Sequence, residues 1–183
     1  MKTVRLISGR FGGRIIRSPG SHRTHPMSER ARAAIFNMIF REVVGAKVLD
    51  AFAGTGALGL EALSRGAESV VFVERDAKAV KILKENVELL GVGDEVKVVG
   101  SGLGSWLAGV LSEEEEFDVV FSDPPYIEPQ WNLVIKLSGA VRIGGLFIIS
   151  RTKAEEVLKL KGFEVLSSRE YAEAGVDIYE RVF

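Results

Sequence analysis

The sequence contains no cysteine and only two histidines. The absence of cysteine excludes disulfides, thiolate zinc sites and cysteine nucleophiles, and it fits a reducing compartment such as the cytoplasm. Because His22 and His25 share one polar loop, we expect no histidine-built metal site. No apolar run approaches the ~20 residues that span a bilayer, and the N-terminus lacks the apolar stretch of a signal peptide. We expect a cytoplasmic protein without a metal, and size alone favours a monomer.

The net charge of −1 conceals an uneven distribution along the chain. Residues 1–45, called the arm below, hold nine Lys/Arg and two Glu, a balance of +7, whereas residues 46–183 hold 15 Lys/Arg and 23 Asp/Glu, a balance of −8. Eight of the nine basic residues in the arm are arginine, whose planar guanidinium suits phosphate. A basic arm on an acidic body favours a nucleic-acid partner. The alternative is an arm that lies on its own acidic domain.

The arm predicts a hairpin, a loop and a helix. Two short β-like runs surround a group of glycines, and a polar loop with two prolines follows them. Ser28 is suited to cap a helix through about Val43. The apolar residues near one face of that helix are Ala31, Ile35, Ile39 and Val43.

From residue 47 onward, strand and helix patterns alternate. Continuous apolar runs such as VVFV are typical of parallel strands that are covered on both faces. FEVLSS and VDIYERVF have no helix between them and predict an antiparallel hairpin. We predict an α/β, doubly wound, mostly parallel seven-stranded sheet with this hairpin at its C-terminal edge. The predicted helices cover residues 57–65, 77–90 with Asp76 as the cap, 103–111, 129–138 and 153–160. The predicted parts are an extension, 1–45, and a main domain, 46–183.

A glycine loop follows the first strand of the main domain. Gly54, Gly56 and Gly59 match G-x-G-x-x-G, and Glu74 ends the next strand, 20 residues after Gly54. This spacing is typical of dinucleotide binding and keeps a nicotinamide-dependent oxidoreductase among the possible functions. The alternative is a purely structural role, in which the glycines merely let the strand turn into a helix.

Asp50 favours another ligand at this loop. It ends the first strand, beside the place where a pyrophosphate would rest, and its carboxylate would repel that group. It would attract an ammonium or a sulfonium. S-adenosylmethionine carries both and has no phosphate. A purely structural role for Asp50, as a cap of the loop, stays open.

The motif DPPY ends the fourth strand, on the carboxyl edge where such sheets bind ligands. Pro124 and Pro125 donate no backbone hydrogen bond, so the loop offers the Asp123 carboxylate and the Pro124 carbonyl as acceptors for an exocyclic amine. Asp123 can also take the proton. Tyr126 provides a face on which a base can stack. An ordinary turn with a packing tyrosine is the alternative.

The arm, DAFAGTGALGLEALSRGAESVVFVERD and DVVFSDPPY together resemble the RsmD family of bacterial 16S rRNA guanine-N2 methyltransferases, over nearly the whole chain. The resemblance implies a Rossmann-like fold, S-adenosylmethionine as cofactor, and small-subunit rRNA or a 30S-type particle as partner. It places the base amine at residues 123–126. The implied cofactor-binding residues are Asp50, Phe52, Gly54, Thr55, Gly56, Glu74, Arg75, Ser101, Gly102 and Leu103. The candidate RNA-binding residues are Arg10, Arg14, Arg17, Arg23, Arg30 and Arg32.

The sequence departs from the family pattern at three places. His25 stands where the family usually has arginine, and Ala33 where it often has an acid. No acidic side chain follows the third strand at Ser101 and Gly102, so recognition of the adenine there falls to backbone groups.

Other functions remain open at this point. DPPY serves the adenine-N6 amine of DNA equally well, although the arm leaves little room for a target-reading domain. Methylation of glutamine in a protein is a further possibility, but it does not explain why the arm is rich in arginine. A non-catalytic RNA-binding protein would retain the same fold.

Overall fold

The structure is a computed structural model that describes residues 2–18, 27–110, 115–171 and 174–183. The strands are β1 (Lys2–Arg5), β2 (Ile15–Ser18), β3 (Lys47–Asp50), β4 (Ser69–Glu74), β5 (Val96–Gly100), β6 (Phe117–Ser122), β7 (Val141–Thr152), β8 (Phe163–Tyr171) and β9 (Ala174–Arg181). The helices are α1 (Glu29–Met38), α2 (Phe40–Val43), α3 (Ala57–Ser64), α4 (Ala77–Leu90), α5 (Leu103–Val110) and α6 (Trp131–Leu137). Within these ranges, no helix is long and apolar enough to cross a bilayer.

The main sheet has the order β5-β4-β3-β6-β7-β9-β8. The strands from β5 to β7 run parallel, and β9 pairs antiparallel with both β7 and β8. The predicted doubly wound sheet with an antiparallel edge hairpin is therefore confirmed. Because the chain passes from β3 outward to β4 and β5 and then returns to β6, the strand order reverses between β3 and β6. Sheets of this kind bind ligands at that point, beyond the carboxyl ends of the strands.

Strand β6 illustrates why the apolar runs are continuous. Val119 and Phe121 belong to a hydrophobic cluster with side chains of the arm, α3 and α4. Phe117 and Val120 belong to the cluster on the other face, with side chains of α5 and α6. Both faces of the strand are covered at these four positions, which therefore favour apolar residues.

The arm contains the predicted hairpin and helix. β1 and β2 pair antiparallel, with Lys2 opposite Ser18. The hydroxyl of Ser28 caps α1 by accepting a hydrogen bond of 3.2 Å from the N–H of Ala31. The helix is interrupted at Ile39, where φ is −106° and ψ is 22°, and resumes as α2. Apolar side chains of the arm share one cluster with the body, and the division after residue 45 stays a prediction.

The helix predicted at residues 153–160 is wrong. After β7 the chain makes a turn and then runs without regular structure to β8. The guanidinium of Arg151 stabilises this turn, because it donates to the carbonyls of Thr152, at 3.2 Å, and Glu155, at 2.7 Å. The carbonyl of Thr152 also accepts from the N–H of Glu155 at 3.2 Å, which closes the turn where the helix was predicted to begin.

Candidate active site

The glycine loop and the DPPY loop open at the same edge of the sheet. Asp50, the last residue of β3, stands opposite Phe121 of β6 in the parallel pairing. The glycine loop, residues 51–56, therefore leaves the sheet beside the DPPY loop, residues 123–126. The N–H of Ala51 donates to the carbonyl of Phe121 at 3.0 Å, which fastens the start of the glycine loop to β6.

A different physical constraint accounts for glycine at each position of the G-x-G-x-x-G pattern. Gly54 has φ +52°, and a Cβ there would meet no atom within 4 Å, so open space adjoins the loop. Gly56 has φ +78°, and its Cβ would lie 2.4 Å from a methyl of Leu83. A Cβ on Gly59 would lie 2.3 Å from the ring of Phe72, so this glycine lets α3 pack closely on β4. The loop has the geometry of a ligand-binding strand-to-helix turn.

Asp50 is a buried carboxylate at the base of the glycine loop. It is 1% exposed and accepts a hydrogen bond of 3.0 Å from the N–H of Gly59. The pKa of Asp50 is raised to about 7: burial raises it most, the bond from Gly59 lowers it, and the charges of Asp123 and Glu74 raise it. A cation placed nearby would favour the ionised form. The bond to Gly59 also gives Asp50 the structural role that the sequence left open.

Glu74 lies next to the glycine loop and shapes it. One carboxylate oxygen accepts from the N–H of Gly54 at 2.8 Å, and the other from the N–H of Asp76 at 2.7 Å. A carboxylate oxygen has two lone-pair sites, so each oxygen retains one for a further donor, such as a ribose hydroxyl.

The remaining predicted cofactor residues lie at the carboxyl ends of β3, β4 and β5. Phe52 is half-buried and Thr55 is buried, whereas Arg75 is exposed. Ser101 and Gly102 are half-buried and follow β5, and Leu103 is 5% exposed, with its side chain in the core. Their contact with a cofactor stays a prediction.

Asp123 begins the DPPY loop and accepts a hydrogen bond on Oδ1 from the hydroxyl of Ser150 on β7. Burial raises the pKa of Asp123, and the bond from Ser150 lowers it. Pro124 is buried, and Pro125 and Tyr126 are half-buried. The carbonyl of Pro125 accepts from the N–H of Glu128 at 3.2 Å, which closes the turn after the motif.

The candidate RNA-binding arginines lie in different environments. Arg14 and Arg30 are exposed. Arg10 forms an ion pair with Glu95, and Arg17 forms one of 2.7 Å with Glu85. These two pairs support the alternative that part of the arm rests on the acidic body. Arg23 and His25 lie outside the described residues.

Arg10 is far from the DPPY loop. Its partner Glu95 directly precedes β5 and so lies at the amino edge of the parallel sheet. The DPPY loop lies at the carboxyl edge. Five residues of strand span ~17 Å, so about the length of a strand separates Arg10 from the DPPY loop.

Arg32 differs from the other arginines because it is 2% exposed. Its guanidinium donates to the carbonyl of Met27 at 3.1 Å and to that of Arg5 at 2.7 Å. Burial lowers the pKa of Arg32, and the charges of Glu61 and Glu29 oppose that shift. In this structure Arg32 joins the hairpin to α1.

Sequence reasoning missed the residues that join the arm to the cofactor loop. Asn86 of α4 is fully buried. Its amide accepts from the N–H of Arg17 at 2.8 Å and donates to the carbonyls of Arg17 and Thr55, both at 3.0 Å. The buried Glu61 of α3 likewise accepts from the N–H groups of Ile7 and Ser8. The available signal was a polar residue on the apolar face of a helix, as Asn86 is on α4.

Comparison with known proteins identifies the family. The family model described as "Conserved hypothetical protein 95" matches residues 4–180. "Putative rRNA methyltransferase YlbH" of Bacillus subtilis (strain 168) is 32% identical over 182 residues, which cover 97% of this chain and 99% of that protein. "Ribosomal RNA small subunit methyltransferase D" of Escherichia coli (strain K12) is 38% identical over 123 residues, which cover 67% of this chain and 60% of that protein.

A solved structure agrees with these relatives. "Putative methyltransferase yhhF from Escherichia coli" has a TM-score of 0.88 and 27% identity, and the match covers 100% of this chain and 99% of that one. The chain is therefore a methyltransferase of the RsmD family, the family described as Conserved hypothetical protein 95, as its arm, glycine loop and DPPY motif predicted.

Proposed function

We propose that the protein transfers a methyl group from S-adenosylmethionine to the exocyclic N2 amine of a guanine in small-subunit rRNA. The observation that carries this proposal is the juxtaposition of Asp50 and Asp123 at the ends of neighbouring parallel strands. One carboxylate is placed to attract a cationic methyl donor and the other to hold an amine. The printed names of the relatives, which refer to rRNA methylation, support the choice of RNA.

The residues of the glycine loop fit the cofactor. The space beside Gly54 is open, and the carboxylates near it, Asp50 and Glu74, suit a positively charged ligand that carries no phosphate. Asp50 would face the methionine side and Glu74 the ribose. When bound, S-adenosylmethionine supplies an electrophilic methyl group. A titration in which NADH binds and S-adenosylmethionine does not would contradict this assignment.

The DPPY loop would hold and activate the amine. The Asp123 carboxylate and the Pro124 carbonyl accept its two N–H groups, which orients the nitrogen lone pair. As the nitrogen would form its new bond to the methyl carbon, the bond between that carbon and the sulfonium sulfur would break and leave a neutral thioether; the nitrogen becomes positively charged, and one of its protons passes to Asp123. Tyr126 provides a stacking face for the base, worth ~1–3 kcal/mol. A guanine within an RNA helix would have to be flipped out first.

The arm would bind phosphates of the RNA. Arg14 and Arg30 are exposed and available for this role, and Arg10 and Arg17 would exchange their carboxylate partners for phosphates. Binding should depend steeply on salt, because each phosphate contact releases counterions. We assign Arg32 an internal role in holding the hairpin. We further propose that the protein acts as a monomer in the cytoplasm.

Labelled-methyl transfer followed by nucleoside analysis tests the proposal. The protein is incubated with methyl-labelled S-adenosylmethionine and with unmodified small-subunit RNA, either naked or assembled into particles. We expect label in N2-methylguanosine, and the better of the two RNA forms identifies the natural substrate. In parallel incubations with DNA and with protein, labelling of adenine N6 or of glutamine in place of the RNA would replace the proposal. Absence of transfer to both RNA forms would contradict it.

A further inference from the structure

Ser150 lies on β7, directly beside the DPPY loop. In the parallel pairing of β6 with β7, Ser122 stands opposite Ile149, so the next residues, Asp123 and Ser150, are also neighbours. Ser150 is 1% exposed, and its hydroxyl donates a hydrogen bond to Oδ1 of Asp123. A serine hydroxyl has one hydrogen to donate, and here Asp123 receives it.

This hydrogen bond makes the two oxygens of the carboxylate different. Oδ1 of Asp123 is engaged by Ser150, whereas Oδ2 accepts no hydrogen bond within the described part of the chain. The χ2 torsion of an aspartate has a broad energy profile, so a carboxylate without such a bond could rotate. Rotation would matter, because a misplacement of about 1 Å can cost ~100-fold in rate.

Strand β7 gives Ser150 a fixed position. The strand pairs with β6 on one side and with β9 on the other, where Ser150 stands opposite Val176. The next residue, Arg151, donates to the buried carboxylate of Asp177 on β9 at 2.7 Å and 3.3 Å. A supporting group on a rigid element of this kind can hold a reacting side chain within a narrow geometry.

We propose that Ser150 is a positioning residue of the methyl transfer, whose hydroxyl holds Asp123 so that Oδ2 faces the exocyclic amine. This inference rests on the role proposed above for Asp123. Ser150 acts through Asp123 and contacts neither the base nor the methyl donor.

The serine hydroxyl also acts on the protonation state of Asp123. Burial raises the pKa of Asp123, and the hydrogen bond lowers it. Asp50 on β3 and Glu74 on β4 place negative charge on this side of the sheet, and the charge of Arg151 on β7 is paired with Asp177 on β9. Removal of the hydroxyl therefore raises the pKa of Asp123. Because the acceptor must be ionised, activity is then lost first at the acid end of the pH range.

The test compares Ser150→Ala, Ser150→Thr and Ser150→Val in methyl transfer to the small-subunit RNA substrate. Thr and Val have nearly the same shape, but only Thr carries a hydroxyl. We expect Ala and Val to lower kcat by ~10- to 100-fold and to move the acid limb of the pH profile upward. Ser150→Thr should keep both kcat and the acid limb of the pH profile close to their wild-type values. Direct titration should show an unchanged Kd for S-adenosylmethionine in all three variants.

Two further variants separate the possible failures. Ser122→Ala removes a buried hydroxyl from the position before Asp123, one that forms no hydrogen bond within the described residues, and it should leave kcat and the pH profile unchanged. Equal rates for the Thr and Val variants, or a loss in Ser122→Ala as large as in Ser150→Ala, would overturn the role of Ser150. Full activity in Asp123→Asn would instead overturn the role of Asp123 on which this inference rests, and a wild type that forms no N2-methylguanosine would overturn the proposed function itself.

Discussion

The backbone N–H of Gly59 donates a hydrogen bond of 3.0 Å to the buried carboxylate of Asp50. Gly59 lies in the first turn of α3, where backbone N–H groups have no partner inside the helix. One carboxylate therefore fastens this helix to the sheet and also places negative charge beneath the glycine loop. The two interpretations of Asp50, a structural cap and a partner for a cationic cofactor, are compatible in one side chain.

We expect S-adenosylmethionine to bind more tightly as the pH rises from 6 to 8. The pKa of Asp50 is raised to about 7, and a cationic ligand favours the ionised form. About half of the carboxylate is ionised at pH 7 and about a tenth at pH 6, so Kd should be roughly fivefold higher at pH 6 than at pH 7. Titration calorimetry over this range, in buffers of different ionisation enthalpy, should also detect proton release on binding.

Asp50→Asn is the control for this titration. Asparagine keeps an acceptor for the N–H of Gly59 but carries no charge, so binding should be weaker and nearly independent of pH. Because the folded pKa of Asp50 lies above its unfolded value, its ionisation lowers the stability of the free protein as the pH rises from about 4 through 7. The variant should therefore gain stability relative to the wild type over that range. A flat wild-type binding profile would contradict this account.

Asn86→Ala should lower both stability and cofactor affinity. The substitution leaves three backbone groups without their partner, the partly buried N–H and carbonyl of Arg17 and the buried carbonyl of Thr55, which should cost about 2–4 kcal/mol in the free energy of unfolding. It also releases the glycine loop from α4. The neighbouring Glu85→Ala breaks only an exposed ion pair and should cost under ~1 kcal/mol. Equal stability of the two variants in urea denaturation would refute the bridging role of Asn86.

Arg30 and Arg32 form a matched pair within the first turn of α1. Arg30→Ala removes an exposed charge, so it should weaken RNA binding and reduce the salt slope by about one while the melting temperature stays constant. Arg32→Ala removes the buried guanidinium that joins Arg5 and Met27 and should lower the melting temperature. An Arg32 variant with wild-type stability and reduced RNA affinity would instead support a direct contact with RNA.

The ion pair between Arg10 and Glu95 should compete with RNA. Glu95→Gln releases the arginine, and because an exposed pair is worth at most ~1 kcal/mol, RNA affinity should rise by no more than about fivefold.

Arg14→Ala should weaken RNA binding without changing the affinity for S-adenosylmethionine. Fluorescence titrations at several salt concentrations measure the RNA affinity of both variants and the S-adenosylmethionine affinity of the Arg14 variant. Loss of cofactor binding in the Arg14 variant would count against its assignment to RNA.

The sequence was sufficient to predict the features that depend on local patterns. Strand β4 and helix α4, with Asp76 as its cap and Gly91 after its end, follow directly from apolar periodicity and capping residues. The neighbouring positions of Asp50 and Asp123 follow from the rules of doubly wound sheets. Each of these features is encoded within a short stretch of chain or in the order of the elements.

The features that were missed depend on partners distant in the chain. Arg32 has the same charge as Arg30, and only its tertiary contacts with the hairpin show that it is buried. Where a helix was predicted after β7, the chain forms a turn that the side chain of Arg151 stabilises. Ser150 contacts Asp123 only because β7 pairs with β6. Charge and periodicity along a sequence do not report such contacts.

The most direct test of the central claim is single-turnover methyl transfer by Asp123→Asn at saturating S-adenosylmethionine and RNA. If the amine is held at the DPPY loop, the transfer rate should fall by ~100-fold or more, while the Kd values of both ligands change little. The wild type, measured in parallel, should yield N2-methylguanosine. A variant that transfers methyl groups at the wild-type rate would contradict the catalytic role of the Asp123 carboxylate.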